Sequence, residues 1–164
     1  MYLLSLRNRY LSNAAVFQCH RTGHKWAWPS SSAPIEYIFR RSKEGKSNKI
    51  ALVIDLSACV MDDRITSVLG DDVTIFHITI LNPCRSFVTS EENQEKFIET
   101  YREALEHIKN LRPAPEAIHL FPVMPNSLAI KAGMDYMPKT DLPLIVYEQA
   151  TQRDGFFEAL TIGG

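Results

Sequence analysis

The stretch IHLFPVMPNSLAIKAG, Ile118–Gly133, decides how this chain is read. It opens as an apolar strand, meets Pro122 and Pro125, and resumes as a helix lined with small residues. Proline fixes φ and lacks an N–H, so the pair marks a stiff corner that ends the strand at Phe121. Asn126 or Ser127 is placed to cap the helix. Ala129, Ala132 and Gly133 give that helix a small-residue surface on which it can approach a sheet closely. Tight packing explains those small residues without a ligand. The same corner would also turn the N–H groups of Asn126, Ser127 and Leu128 outward beyond the strand end, where an anion can use them.

Working outward, the pattern repeats. Ile50–Leu56 is a continuous apolar run, as expected of a strand buried on both faces. Asp62–Leu69 reads as a short helix capped by its aspartates and stopped by Gly70. Val73–Leu81 is a β-branched strand ended by Asn82-Pro83. Ser90 then caps a long helix whose Phe97, Ile98, Tyr101, Leu105, Ile108 and Leu111 form one apolar stripe. Ala117–Phe121, Asn126–Tyr136 and Leu142–Glu148 supply strand, helix and strand, and Phe156–Ile162 an edge strand. Strands alternating with helices predict an α/β, Rossmann-like, mostly parallel sheet with helices on both faces.

Residues 1–48 have no clean period and read as an irregular N-terminal segment, or the remnant of a preceding half-domain, before a domain at 49–164. Within them, Ile35–Phe39 is a short strand-like piece and Arg40–Lys49 a solvated basic connector.

Composition sets the outer limits. The chain has 164 residues, enough for one domain with a sizeable core. With 18 basic and 19 acidic residues the net charge is -1, which argues against a duplex-DNA binder. Three widely spaced cysteines, Cys19, Cys59 and Cys84, do not make a disulfide framework and fit a reducing, cytoplasmic setting. No run of about 18 apolar residues is present to span a membrane.

Open parallel sheets bind ligands beyond the carboxyl ends of their strands, so those ends hold the candidate residues. After the first parallel strand come Leu56, Ser57 and Ala58, the last two small enough for close approach, with Ser57 reading first as a turn residue. No glycine-rich phosphate loop is present, which disfavours a dinucleotide or triphosphate site. After the next strand lie Arg85, whose planar fork suits a phosphate, and Phe87, which either stacks on a base or covers the sheet. The opening corner supplies Phe121, Pro122, Met124, Pro125, Asn126 and Ser127. Tyr147 and Glu148 end the last parallel strand, where Glu148 is either an acceptor for an adenine amino group or ribose hydroxyl, or an ordinary strand-end acid.

Other groupings are weaker. Cys19, His20 and His24 lack a second pair of zinc ligands, and Asp62 and Asp63 read as helix caps, so no metal or cofactor is expected. Trp26 and Trp28 read as packing residues before base-stacking ones, and His77 and His119 as mid-strand core residues. No nucleophile elbow or matched Cys/His pair is visible.

The run AIHLFPVMPNSLAIKAG followed by LPLIVYE resembles the C-terminal part of a SAVED domain, in which a strand ending Phe-Pro-x-x-Pro leads into a small-residue helix. IALVIDLSACVMDDRI is similar to that family's opening strand and loop, and the likeness covers Lys49 to Gln149. The resemblance implies a CARF-like half-domain of a two-half sensor for cyclic oligonucleotides, of the cyclic tri- or tetra-adenylate class. It implies CBASS or type III CRISPR antiviral signalling, in which ligand-driven assembly activates an attached nuclease, protease or other effector. The strand-end residues named above would line the pocket. The chain is short for two halves plus an effector, so the missing surface would come from a first half or a second copy, with catalysis elsewhere. Two other readings stay open: a Rossmann-like enzyme cleaving cyclic oligonucleotides through Glu148 or Asp55 with Arg85, and a non-binding structural adaptor.

Overall fold

The computed structural model describes residues 15–17, 19, 26–29, 33–149 and 155–163. Strands β1 (Ile38–Lys43), β2 (Ile50–Asp55), β3 (Thr74–Thr79), β4 (Ile118–Val123), β5 (Leu144–Gln149) and β6 (Phe156–Ile162) form one sheet in the order β1-β3-β2-β4-β5-β6. Helices α1 (Asp62–Leu69), α2 (Glu91–Lys109) and α3 (Asn126–Asp135) connect the parallel strands. β3, β2, β4 and β5 are mutually parallel, while β1 and β6 close the edges antiparallel. The result is the α/β, mostly parallel sheet that the alternating pattern predicts.

Every residue of β2 is buried, because helices cover both of its faces. Leu52 and Ile54 join Phe97, Tyr101, Ala104, Leu105 and Ile108 of α2 and Leu128 and Ala132 of α3 in the larger core. Ala51 and Val53 point the other way, into a smaller core with Ile65 of α1, Phe121, Tyr147 and Phe156. The period-2 alternation of a strand thus divides one apolar run between two cores. Ser90 caps α2 as its composition predicts, accepting from the Asn93 N–H at 3.2 Å.

The structure departs from the sequence expectations at three points. First, the strand near the N-terminus runs Ile38–Lys43 instead of Ile35–Phe39, so the first four residues of the expected basic connector are strand. An edge strand needs only a few inward contacts: Phe39 stacks on Phe76 at 5.5 Å, while Arg40 and Arg41 stay exposed. Charge on an edge protects it from further pairing and disguises it as a loop.

Second, β4 does not break at Pro122 but continues to Val123, with Pro122 opposite Ile54 of β2. Backbone groups alternate sides along a strand. The Ile118 N–H bonds Pro143 O on the β5 side, whereas Val123 O accepts from β2's extension. Even-numbered residues of β4 therefore face β5, whose pairing with β4 ends at Leu120↔Val146. Pro122 faces the side where the ladder has already stopped, so its missing N–H forfeits no bond.

Third, the aspartates and Asn126 or Ser127 do not cap their helices. Met61 and Pro125 occupy the N-cap positions of α1 and α3, without side-chain cap bonds.

The two helices on the larger core are tied by charge. Arg102 of α2 reaches Asp135 at the end of α3, through both carboxylate and carbonyl, and Asp141 at 2.7 Å. Asp141 is 2% exposed and also accepts the Met137 N–H at 2.7 Å. Arg102→Ala would leave these carboxylates without their cation, and Arg102→Lys cannot reproduce the fork. Because Arg102 is about a quarter exposed, the expected loss for the alanine variant is about 2 kcal/mol, below that of a fully buried pair. Urea unfolding checks it, and lysine is expected to recover less than half.

Candidate functional site

From β2 the chain moves to β3 on one side, then returns across β2 to β4 on the other. The carboxyl ends of β2 and β4 are thus neighbours whose onward chains diverge, which opens a crevice at the topological switch point. Three loops are bonded together there. The N–H groups of Leu56 and Ser57 both donate to Val123 O, at 3.0 and 2.9 Å. The Cys84 N–H, from the loop after β3, donates to Leu56 O at 2.9 Å. Pro125 O accepts from Leu128 and Ala129, both at 3.1 Å, which starts α3. The first N–H groups of such a helix have no intrahelical acceptor.

The candidate residues fall into two groups. Ala58, Arg85, Asn126 and Glu148 are exposed, and Ser57, Pro122 and Met124 half-buried. Leu56, Phe121, Pro125, Ser127 and Tyr147 are buried. Phe121 and Tyr147 stack on each other with centroids 4.4 Å apart, and Phe156 meets Phe121 edge-on at 5.1 Å. These rings build the wall behind the crevice, where the sequence reading had placed them at its surface. Among the described residues, no hydrogen bond or ion pair joins Arg85 or Glu148 to the bonded corner. Phe87 sits edge-on to Tyr37 at 6.2 Å, as a cover for the sheet.

Ser127 stands out chemically. It is 2% exposed, and its hydroxyl has no hydrogen-bond partner. An unmatched buried hydroxyl costs stability, and here it lies in the first turn of α3.

Of the two strand histidines His77 is buried and His119 half-buried, and both carry networks that the sequence does not announce. His119 Nδ1 lies 3.0 Å from the Tyr147 hydroxyl. Burial, with Lys49 adding to it, pushes the His119 imidazole below its ordinary value. His77 is 1% exposed and lies between two carboxylates: its Nε2 is 2.9 Å from Asp62 Oδ1 and its Nδ1 3.3 Å from Asp55 Oδ1. Burial opposes its charge, but Asp55 and Asp62 outweigh burial and hold the imidazole above its ordinary value. Asp62 therefore partners a histidine, where a helix cap was expected. The signal available was a histidine inside a strand otherwise apolar, with an aspartate ending the neighbouring strand.

Two exposed apolar side chains also went unread. Met61 is 67% exposed before α1 and Leu81 is 85% exposed after β3, where the strand was expected to continue. Of the aromatic pair near the N-terminus, Trp28 packs 5.6 Å from Phe17 and Trp26 is exposed. His20 and His24 lie outside the described residues. Among the described residues no cluster of potential metal ligands is present, and no helix is long and apolar enough to cross a membrane.

Ser127→Ala separates packing from recognition. Deleting an unpaired buried hydroxyl is expected to leave the free protein's stability unchanged or raise it by up to about 1 kcal/mol. Urea unfolding checks this, and a loss of 1 kcal/mol or more would show that the hydroxyl has a partner in the free protein.

Residues 9–162 match the family model of SAVED, the SMODS-associated and fused to various effectors sensor domain. Among solved structures, the chain is similar to the SAVED/CARF-domain-containing receptor Cap4 of Acinetobacter baumannii with the cyclic trinucleotide 2'3'3'-cAAA, at TM-score 0.58 and 9% identity. The same receptor with 3'3'3'-cAAA gives TM-score 0.57 at 10% identity, and without a named ligand 0.50 at 10%. The first two alignments each cover 79% of this chain and 28% of the receptor, and the third covers 77% and 25%. The chain thus spans little more than a quarter of the receptor's length. A search of curated protein sequences finds no match. The structural likeness is one of fold, and the family model covers almost the whole chain: this protein belongs to the SAVED family of sensor domains.

Proposed function

We propose that the crevice at the β2/β4 switch point is the ligand site of a cyclic-oligonucleotide sensor, taking a ring of the cyclic tri- or tetra-adenylate class. The observation that carries this reading is the bonded corner: Leu56 and Ser57 on Val123 O, Cys84 on Leu56 O, and the opening turn of α3 with the unpaired Ser127 hydroxyl. A cyclic oligoadenylate presents a compact ring of phosphates with bases splayed outward. It calls for N–H donors at helix starts, planar cations for phosphate, and acceptors for adenine amino groups.

In this reading Ser57, Ala58, Arg85, Met124 and Asn126 meet the ring. Pro122 stiffens the corner, and Leu56, Phe121, Pro125, Ser127 and Tyr147 hold the wall in place. Glu148 accepts from an adenine amino group or ribose hydroxyl. The half-domain placed at 49–164 takes in β1 as well, because β1 pairs with β3. It is the C-terminal half of a two-half sensor, and a first half or a second copy completes the pocket. Ligand binding is thereby coupled to self-association, which activates a nuclease, protease or other effector carried on another domain or chain. The setting is antiviral signalling of the CBASS or type III CRISPR kind, in the cytoplasm, and this domain leaves its ligand intact.

A ligand that binds only the folded state stabilises it by about 2.7 kcal/mol at a hundred times its dissociation constant. Thermal shift against a panel of cyclic di-, tri- and tetranucleotides is expected to single out an adenylate trimer or tetramer, with light scattering rising alongside. Replacing Asn126 and Ser127 together by alanine should remove that shift while the free protein remains folded. A double variant that responds fully would move the site away from α3, and a wild-type chain indifferent to the whole panel would end the proposal.

A further inference from the structure

We infer that His77 is a positioning residue for the crevice: it staples together the two ends of the loop Leu56–Met61, which carries the β2 side of the proposed ligand site. The inference rests on the reading just given for that site, but the staple itself is a matter of geometry. β2 ends at Asp55 and α1 begins at Asp62, so these two carboxylates are the residues that bracket the loop. Both face one imidazole, His77 on β3, at 3.3 and 2.9 Å. Asp55 is 4% exposed and His77 1%, so water does not compete strongly for either.

The two ends are held unequally. The contact to Asp62 is a hydrogen bond, whereas Asp55 Oδ1 and His77 Nδ1 stand within ion-pair distance without hydrogen-bond geometry. A neutral imidazole has a single N–H, so only the imidazolium offers a proton to both carboxylates. Loss of that proton turns one ring-nitrogen lone pair towards a carboxylate, and one end of the loop is released. Across the ladder His77 pairs with Arg40 of β1, which is exposed. The carboxylates hold the imidazole above its ordinary value against burial. The sign follows: the charged staple contributes fully below the unfolded value of about pH 6.5, and is lost as pH rises through the higher folded value.

Hydrogen exchange of the intact, ligand-free chain tests the staple, with rates corrected for the intrinsic effect of pH. In the wild type, protection of residues 56–61 is expected to fall about tenfold between pH 6 and pH 8, the equivalent of one lost charge-assisted hydrogen bond. His77→Gln should show the low protection at both pH values, and residues 97–108 of α2 should keep theirs. Asp62 is about a third exposed, so Asp62→Asn provides a second variant should the glutamine disturb folding. Loop protection that is unchanged in the variants, or lost equally in α2, would overturn the inference. A second arm titrates 3'3'3'-cAAA into wild type and Asp62→Asn at pH 6, with about tenfold weaker binding expected in the variant. Equal binding by the two would show that the staple does not position the site. If wild type binds no member of the cyclic-nucleotide panel while the exchange arm behaves as stated, the ligand reading falls and the loop staple stands.

Discussion

The carbonyl of Val123, accepting two successive N–H groups from Leu56 and Ser57, is the point on which the crevice depends. It joins the ends of β2 and β4, two adjacent parallel strands whose chains then leave in different directions. Parallel pairing requires crossovers, and consistent handedness requires α1 to lie on one face and α2 and α3 on the other. The crevice is therefore set by topology before any side chain is chosen. Side chains decide only what the crevice can recognise. The stiff segment Pro122–Pro125 belongs to the same constraint: it turns the chain from ladder to helix without requiring ladder donors that have no acceptor.

Charge is used sparingly inside the molecule, and it is used at helix ends. On the α1 face, Asp62 ties the start of α1 to His77. On the opposite face, Arg102 ties the end of α3 to α2. Buried ion pairs contribute little net stability compared with apolar packing, since desolvation offsets attraction. Their effect here is positional. The apolar cores hold helices against the sheet but leave sliding along it cheap, because contacts between Leu, Ile and Phe are not directional. A charged contact fixes where a helix begins or stops, and at α1 and α3 those positions determine the shape of the corner.

Much of this was readable from sequence. Continuous apolar runs at Ile50–Leu56 and Val73–Leu81, the Ser90 cap and the stripe from Phe97 to Ile108 report local physics, and local physics fixed those elements. Parallel topology followed from their alternation. What was not readable depends on partners distant in the chain. β1 looks like a basic connector because its fit to β3 rests largely on one inward ring, Phe39. Pro122 looks like a break unless the side it faces is known. Asp62 looks like a cap unless His77 lies within reach. Phe121 and Tyr147 look available for stacking until the other is seen to occupy the ring face. For the candidate site, sequence pointed to the loops after the parallel strands but could not separate their exposed residues from their buried ones.

The smaller core has a further consequence for how this protein responds to pH. Beside it, on the same strand faces as Ile75 and Phe121, stand two histidines with opposed preferences, His77 buried and His119 half-buried. His77 is stabilised as the cation by Asp55 and Asp62, so its contribution grows as pH falls towards 6.5 and is complete below it. His119, held below its ordinary value by burial and Lys49, favours the neutral form, so the fold loses stability as pH falls through that same unfolded value. The two contributions slope in opposite directions on either side of that unfolded value, so together they favour a stability maximum near pH 6.5. Of the two, only His77 changes its contribution as pH rises above 6.5, so a rearrangement in that range reports His77. The loop bracketed by Asp55 and Asp62 is where that rearrangement concentrates, because His77 contacts both of its ends, whereas His119 bonds to Tyr147 within the wall.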